Sequence, residues 1–316
     1  MRTRTISILL AAFLFLSCLT AAVLHYGGNK SPSDNTQQLT EQTDTSVLVF
    51  KNLKYGQHEN QTFDLNLPVD NRDGIGLVLF LHGGGWIGGD KTSVRNSYSV
   101  FNANREYATA SINYRFINDG VSDINDIIDD ITLALSHIRR FASDYSVNLT
   151  KVILCGHSAG GHLSLLYAYK YKDISPIEPV GVFASAPVPD LSLDTFYTDN
   201  TLGDETHMCN LISQLCAEKF TPATRASKKA LLDEISPLSY VSSASVPTVI
   251  LHGSKDRIAP FSGSLVLSDK LSEYSVDHEL VIFENSGHSM KNNEETKAYA
   301  SELMLSCARE WFNITN

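Results

Sequence analysis

One serine in this chain stands in a setting that could support covalent chemistry. It lies in the segment GHSAG, residues 156–160, directly after the apolar run Val152–Cys155 and before a helix-like stretch. A G-x-S-x-G segment between a strand and a helix predicts a nucleophile elbow, a turn so sharp that the serine is strained and its hydroxyl is exposed. Ser158 is therefore the candidate nucleophile.

The serine needs partners, because its hydroxyl is nearly inert at neutral pH and the motif arises by chance in about one chain of this length in ten. A general base must take the proton, and an acid must orient that base. Asp256 follows the apolar run Thr248–Leu251, and His288 follows the run Leu280–Phe283. The order serine, acid, histidine is the one that accompanies a nucleophile elbow. We predict a catalytic triad of Ser158, Asp256 and His288.

Other acids and histidines compete for the last two roles. Asp190 follows an earlier strand and Glu284 still lies within the last one, so Asp256 fits the position of the acid better than either. Four further histidines adjoin glycine turns or lie in a helix or turn, and we interpret them as packed, hydrogen-bonded supports: His82, His157, His162 and His252.

A glycine run supplies a second chemical element. The segment HGGGW, residues 82–86, comes directly after the apolar run Leu77–Leu81. Acyl transfer builds negative charge on a carbonyl oxygen, and backbone N–H groups that already point at that oxygen stabilise it. The tryptophan that ends the run, Trp86, either lines the substrate pocket or closes the core. The predicted oxyanion-hole donors are the N–H groups of Gly83, Gly84 and Ala159.

These groups must be held by a framework of strands and helices. Continuous apolar runs predict strands buried on both faces, and helical stretches alternate with them, which favours parallel strands joined by crossovers. The first two strands read instead as an antiparallel edge. The predicted fold class is α/β, with a mostly parallel sheet covered by helices on both faces. The predicted strands are Val47–Phe50, Thr62–Leu67, Leu77–Leu81, Ala108–Ile112, Val152–Cys155, Gly181–Ala184, Val249–Leu251 and Leu280–Phe283; the predicted helices include Ile124–Phe141, Gly161–Tyr171, Ser264–Ser272 and Glu294–Phe312.

The regular alternation stops between about residues 190 and 246, where polar and aromatic residues mix. Long insertions are usually lids or binding loops, so we predict a cap over the sheet. Cys209 and Cys216 within it are the natural disulfide pair for an oxidising compartment, with two free thiols as the alternative. The aromatic side chains of Phe196, Tyr197 and Phe220 favour an apolar acyl or alcohol site or ordinary packing.

The N-terminus has the composition of an export segment. Two arginines precede an uncharged run from Ile6 to Leu24, which predicts a signal peptide or, if uncleaved, a membrane anchor over residues 1–24. Cleavage near Ala22 and a weak lipobox ending at Cys18 are alternatives. Residues 25–45 are predicted to be a flexible tether, and residues 46–316 the catalytic domain. This organisation predicts an exported protein, periplasmic or membrane-anchored if the source is bacterial, which contacts the membrane only through its N-terminal anchor or lipid.

Composition excludes some classes of function. The formal net charge is −10 in 316 residues, and no basic patch suggests nucleic-acid binding. No C-x-x-C segment or His/Cys cluster predicts a metal site, and the predicted chemistry requires no cofactor. The expected partner is a small-molecule ester.

Seven motifs occur in order along the chain: HGGGW at 82–86, GGDK at 88–91, NYR at 113–115, GHSAGGH at 156–162, SPLSYV at 236–241, HGSKD at 252–256 and GH at 287–288. With these motifs the chain resembles the α/β-hydrolase carboxylesterases, and within them the hormone-sensitive-lipase-like and feruloyl and acetylxylan esterase (BD-FAE-like) branch. The resemblance spans about residues 55–312, and it implies the α/β-hydrolase fold and supporting roles for Asp90, Lys91, Tyr114 and Arg115. Apart from SPLSYV, the inserted segment that contains the cysteine pair, residues 190–246, matches no motif of the family.

The expected activity is that of a serine carboxylesterase which hydrolyses short-acyl esters through an acyl-enzyme. Two alternatives stay open. The same triad could cleave an amide, as aryl formamidases with a similar glycine motif do, and the fold could serve as a non-catalytic binding module. A binding module would ordinarily have lost a member of the triad, and none is missing here.

Overall fold

An eight-stranded sheet forms the centre of the protein. The computed structural model describes residues 46–70, 73–93, 99–101, 105–198 and 200–314. The strands lie in the order β1-β2-β4-β3-β5-β6-β7-β8. Their bounds are β1 Val47–Lys54, β2 Thr62–Pro68, β3 Ile75–Leu81, β4 Ala108–Ile112, β5 Leu149–His157, β6 Glu178–Ser185, β7 Thr248–Gly253 and β8 His278–Phe283.

The direction of the strands confirms the predicted architecture. β1 pairs antiparallel with β2, and β2 pairs antiparallel with β4, whereas every other neighbouring pair is parallel. Parallel pairing brings the carboxyl ends of strands to one edge: Leu81 pairs with Gly156, and Gly253 pairs with Phe283. The glycine run, the GHSAG segment and the loops after β7 and β8 therefore start from this same edge.

Helices cover both faces of the sheet. α1 begins with a capping box, in which Asp123 accepts hydrogen bonds from the N–H groups of the first turn. Apolar residues of α1, α2 and α6 belong to the larger core cluster, and those of α7 belong to the smaller one. The helices are α1 Ile124–Asp144, α2 Ala159–Lys170, α3 Asp194–Thr198, α4 Glu205–Leu215, α5 Lys229–Glu234, α6 Phe261–Glu273 and α7 Glu294–Trp311, with short 3-10 turns at Ser99–Phe101, Ile117–Asp119, Lys172–Ile174, Ala226–Lys228 and Pro237–Tyr240.

The inserted segment from about residue 190 to 246 contains α3, α4, α5 and two of the 3-10 turns. It is packed rather than solvated: Met208, Ile212 and Leu215 on α4 are fully buried and join the larger core cluster. Tyr197 and Phe220 are buried in the same cluster.

The predicted disulfide between Cys209 and Cys216 is wrong. Both cysteines are free thiols. Cys209 lies within α4, and the N–H of Cys216 still donates to the carbonyl of Ile212, so the helical geometry continues to that residue. At a rise of 1.5 Å per residue, two cysteines seven positions apart are about 10 Å from each other, beyond the span of a disulfide. The polar composition of the insertion is typical of loops, but this part of it is helical.

The N-terminal predictions concern residues 1–45, which lie outside the described residues, as does Cys18. The export segment, the anchor and the tether therefore stay predictions. Among the helices of the described residues, none is both long enough and apolar enough to cross a membrane.

A buried ionic network joins the sheet to α1. Asp130, whose side chain is completely buried, accepts hydrogen bonds from Gln61 Nε2 at 2.6 Å, Arg115 Nη2 at 2.7 Å and the Arg115 backbone N–H at 2.9 Å. Arg115 also pairs with Asp126 at 2.7 Å. Arg115, the last residue of the NYR segment, thus connects α1 by ion pairs to the segment that follows β4.

Removing the Asp130 carboxylate should destabilise the protein strongly. Asp130→Ala leaves the Arg115 and Gln61 donors without their buried acceptor, so we expect the free energy of unfolding to fall by about 3 kcal/mol. Urea denaturation measures this loss. The matched control is Asp129→Ala, since Asp129 is exposed on the same helix, and it should change stability by no more than about 0.5 kcal/mol. Equal stability of the two variants would show that the network contributes nothing.

Candidate active site

Ser158 lies in a sharply strained turn between β5 and α2. Its backbone has φ 58° and ψ −122°, a region that non-glycine residues rarely occupy. The flanking glycines are required by contact distances: a Cβ at Gly156 would lie 2.1 Å from the carbonyl oxygen of Gly160, and a Cβ at Gly160 would lie 2.1 Å from that of Leu81. The turn therefore has the geometry expected of a nucleophile elbow.

Neighbouring backbone holds the strained residue in position. The N–H of Ser158 donates to the carbonyl of Ser185 at the end of β6, at 2.8 Å. The Ser158 carbonyl accepts from the N–H of His162 at 2.9 Å and so begins α2. The side chain is open to a cavity above the sheet edge, which Ala159 also lines.

Asp256 and His288 are in direct contact, as their positions in the sequence predict. His288 Nδ1 lies 2.7 Å from Asp256 Oδ2. The Asp256 side chain is completely buried, whereas that of His288 is 17% exposed and lines the same cavity as Ser158. Within the described residues, no direct hydrogen bond joins the Ser158 hydroxyl to His288. Such contacts are often open before a substrate binds.

The carboxylate of Asp256 accepts three hydrogen bonds and has the His252 ring beside it. Oδ1 accepts from the N–H groups of Ile258 at 2.9 Å and Ala259 at 3.1 Å, and Oδ2 lies 3.2 Å from His252 Nε2 as well as near His288. Burial alone would raise the pKa of Asp256, but the neighbouring His252 and His288 rings hold it well below its ordinary value. Asp256 is therefore an anion that can orient and stabilise a protonated imidazole.

His252 has a larger role than the sequence suggested. Its position in the sequence is typical of a turn support, but its ring joins the loop that contains Asp256 to α6. Its Nε2 lies 2.8 Å from the Ala259 carbonyl, and its Nδ1 lies 2.7 Å from Ser264 Oγ. The four-residue spacing between His252 and Asp256 is the one feature of the sequence that could have indicated their contact. The position of the His252 ring also depends on the packing of α6, which supplies Ser264.

The competing acids lie elsewhere. Asp190 accepts from the N–H of Ser192 at 2.8 Å, and Glu284 accepts from the hydroxyl of Ser254 at 3.0 Å. Neither side chain lines the cavity that contains Ser158 and His288.

The glycine run approaches the serine closely. A Cβ at Gly83 would lie 3.2 Å from Ser158 Cβ, and Gly84 lines the cavity beside it. Ala159, the first residue of α2, presents an N–H at a helix N-terminus, where backbone donors lack partners within the helix. All three predicted donors therefore adjoin the Ser158 side of the cavity.

Residues after the glycine run act as its scaffold. Lys91 Nζ donates to Asn52 Oδ1 at 2.7 Å and lies 3.6 Å from Asp64, and both side chains of this ion pair are 5% exposed. Asn113 binds the loop at two points, through the Lys91 N–H and the Asp90 carboxylate. Through these contacts, residues of the GGDK and NYR segments hold the loop that follows the glycine run in place.

Trp86 fills both of the roles that the sequence left open. It is 2% exposed within the larger core cluster, and it also lines the cavity. Its Nε1 donates to His162 Nδ1 at 3.3 Å, and His162 Nε2 lies 2.8 Å from the carbonyl of Ile235 in the cap. These partners assign a neutral imidazole with the proton on Nε2. Burial lowers the pKa of His162 to about 4, which agrees with this assignment.

His157 is a cavity residue as well as a support. Its ring centroid lies 4.6 Å from that of His288. Burial, reinforced by the neighbouring His288, lowers the pKa of His157 to about 4. His157 is thus neutral near pH 7 and adds no positive charge beside the candidate base.

The cavity has a volume of about 830 Å³, and α4 forms one of its walls. Phe196 in the cap also contributes, whereas Tyr197 and Phe220 are packed elsewhere. Sequence reasoning predicted a cap but missed that Met208 and Leu211, three residues apart on α4, face the cavity. Among the described residues, no group of three or more histidine, cysteine, aspartate or glutamate side chains could hold a metal ion.

The sequence profile of the BD-FAE family matches residues 63–271, more than half of the chain. The chain belongs to the BD-FAE family. The match begins in β2 and ends in α6, so it includes the glycine run, Ser158 and Asp256, while His288 follows beyond it. The resemblance inferred from the motifs is confirmed.

Curated relatives of this BD-FAE-family chain include ester hydrolases. It is 26% identical over 256 residues to the isoprenylcysteine alpha-carbonyl methylesterase ICME of Arabidopsis thaliana, and the alignment covers 77% of this chain and 57% of that protein. It is 29% identical over 208 residues to the probable carboxylic ester hydrolase LipM of Mycobacterium tuberculosis, and that alignment covers 64% of this chain and 46% of that protein. The chain thus spans about half the length of these curated relatives.

Solved structures share the fold. Esterase B from Lactobacillus rhamnosis superposes with a TM-score of 0.66 at 21% identity, covering 97% of this chain and 96% of that one. A truncated carbohydrate esterase from gut microbiota gives a TM-score of 0.67 at 17% identity, covering 88% and 99%. The predicted α/β-hydrolase fold is confirmed.

The buried neutral His162 should make stability depend on pH. The pKa of His162 is about 4 in the folded chain, against an ordinary value of 6.5 for histidine. Between pH 4 and pH 6.5 the residue therefore takes up a proton when the chain unfolds. The free energy of unfolding should therefore fall by about 3 kcal/mol from this residue as the pH falls from 6.5 to 4. His162→Gln should remove this contribution from the pH dependence of urea denaturation. The exposed control His207→Gln should keep the wild-type dependence; an unchanged slope in His162→Gln would contradict the prediction.

Proposed function

We propose that this protein is a serine carboxylesterase in which Ser158 is the nucleophile, His288 the general base and Asp256 the acid that orients the base. The observation that carries the proposal is the convergence of three loops at one cavity. The strained serine, the imidazole bound to a buried carboxylate and the glycine run come from the ends of different strands. Family membership and the ester hydrolases among the relatives support the same chemistry.

In the proposed acylation step, His288 takes the proton of the Ser158 hydroxyl through Nε2, because Nδ1 is bound to Asp256. The serine oxygen then attacks the ester carbonyl. The imidazolium that forms is stabilised by the Asp256 carboxylate, and it returns the proton to the departing alcohol. Three hydrogen bonds and the adjacent His252 ring fix that carboxylate, so little reorganisation is needed as the charge develops.

The attacked carbonyl oxygen becomes negatively charged in the tetrahedral intermediate. We assign its stabilisation to the N–H groups of Gly83, Gly84 and Ala159, which adjoin Ser158. Donors fixed before the reaction are worth about 3 kcal/mol each in such sites. Water, activated by His288, then hydrolyses the acyl-enzyme and regenerates the serine.

We propose short-acyl esters as the preferred substrates. Two solved structures of the same fold contain short acyl groups: an esterase from Thermogutta terrifontis has propionate bound, and Esterase B from Lactobacillus rhamnosis is inhibited by a tributyrin phosphonate.

Replacement of the nucleophile should abolish hydrolysis. Ser158→Ala should lower kcat on p-nitrophenyl acetate by about 10⁵-fold or more, because no attacking oxygen remains. A phosphonate ester should add covalently to the wild-type protein, as mass spectrometry detects, and not to the variant. The matched control is Ser164→Ala in α2, the helix that follows Ser158, since the buried Ser164 hydroxyl has no partner in the described structure. Full activity of Ser158→Ala on every ester would overturn the proposed function.

A series of p-nitrophenyl esters of increasing acyl length tests the acyl preference. With a fixed leaving group, kcat/KM should peak at a short acyl chain and fall by about tenfold or more for long ones. A maximum at long chains would refute the short-acyl proposal while leaving the triad intact. An aryl ester measured beside its matched amide separates esterase from amidase activity.

A further inference from the structure

The described part of the cavity wall around Ser158 is uncharged: none of the described residues that line it is an aspartate, glutamate, lysine or arginine, although the chain has a formal net charge of −10. The acidic residues at the start of α4 have other partners: Asp204 accepts from the His207 N–H at 2.8 Å, and Glu205 accepts from Arg225 Nε at 3.3 Å. An ionic group entering this cavity would lose water without gaining an opposite charge, which is costly.

The inner part of the cavity is apolar. Met208 is fully buried and Leu211 is 8% exposed, and their spacing on α4 turns both side chains toward the same side of the helix. Phe196, Val188 and Ile258 continue this apolar lining. A group that contacts this surface must itself be apolar to gain free energy from burial.

The exposed part of the cavity lining mixes amide and apolar side chains. Asn210 and Gln214 are exposed and lie four residues apart on α4, and His207 precedes them on the same edge of the helix. Asn118 also lines the cavity, and its Nδ2 donates to the Ile87 carbonyl at 3.1 Å. Ile87 and Leu202 add exposed apolar surface, and the four polar side chains form an amide rim beside it. Amide groups both donate and accept hydrogen bonds, so this rim suits hydroxyl, ether or amide groups.

The size of the cavity exceeds the needs of a short acyl chain. A volume of about 830 Å³ is near the upper end of the range for sites that enclose drug-sized molecules, about 300–1,000 Å³. If the acyl group is short, most of this space must receive the alcohol portion of the ester.

We infer that the alcohol portion of the substrate is a bulky, apolar and uncharged group that lies along α4 against Met208 and Leu211, with any polar end at the amide rim. This inference rests on the proposed function, and it names the substrate class of the same site: esters of a short acid with a large neutral alcohol. It assigns α4 as the element that determines specificity for the alcohol.

Two matched pairs of esters test the inference on the full-length protein. Phenethyl acetate and methyl hydrocinnamate are isomers with the ester bond reversed, so they present the same apolar group on the alcohol side or on the acyl side. We expect kcat/KM to be about tenfold or more higher for phenethyl acetate. The second pair is choline acetate and its carbon analogue, in which a tert-butyl group replaces the trimethylammonium. The neutral analogue should again be preferred by about tenfold or more.

Variants of α4 link these preferences to the proposed wall. Leu211→Trp fills the apolar part of the cavity, so it should lower kcat/KM for phenethyl acetate by about tenfold more than for ethyl acetate. Asn210→Asp places a negative charge at the mouth and should improve choline acetate relative to its carbon analogue by about threefold. The controls are Thr206→Trp and Thr206→Asp, because Thr206 is exposed on α4 and does not line the cavity.

The outcomes separate this inference from the proposed function. A preference for methyl hydrocinnamate would assign the apolar wall to the acyl group and overturn the inference, as would equal rates for choline acetate and its analogue or equal effects of Leu211→Trp and Thr206→Trp. In each of these cases hydrolysis still depends on Ser158, so the esterase proposal survives. Absence of hydrolysis of every ester, with no phosphonate labelling of Ser158, would overturn both.

Discussion

The strained backbone at Ser158 is the constraint on which the rest of the site depends. A serine at φ 58° and ψ −122° costs about 1–3 kcal/mol, and such a conformation persists only where the surroundings leave no alternative. Here β6 accepts the Ser158 N–H, α2 starts from its carbonyl, and Gly160 passes so close to Leu81 that no side chain fits between them. The sheet therefore holds the nucleophile, and the order of its strands decides which other loops can reach it.

The acid and the base differ in how firmly they are held. Asp256 is completely buried, accepts three hydrogen bonds and lies 3.2 Å from the His252 ring, whereas the His288 side chain is 17% exposed and anchored through one ring nitrogen. This division suits the proposed chemistry. The carboxylate must stay fixed and ionised throughout, while the imidazole has to exchange protons with the serine, the leaving group and water in turn. Fixing the acid to β7 and α6 leaves the freedom of movement where the reaction requires it.

Much of this could be predicted from the sequence, because strands buried on both faces give continuous apolar runs and tight turns give glycine segments. Those signals are local, and they fixed the strands, the elbow and the order of Ser158, Asp256 and His288. The contacts that could not be predicted are tertiary. The role of His252 depends on Ser264 in α6, and the cavity wall depends on the orientation of α4. The disulfide prediction failed because a polar insertion was interpreted as a loop, although its spacing of buried apolar residues is helical.

The buried carboxylate, and the lack of charged side chains among the described residues of the cavity wall, follow from one electrostatic requirement. The proposed reaction depends on two interactions that strengthen in its transition state: backbone N–H groups with the developing oxyanion, and Asp256 with the developing imidazolium. A fixed charge on the cavity wall would compete with either interaction and would draw water to the site. His157 lies against His288 with its pKa lowered to about 4, so it too stays neutral near pH 7. A site arranged in this way gives up electrostatic recognition of its substrate, and its selectivity must come from shape, apolar contact and neutral hydrogen bonds.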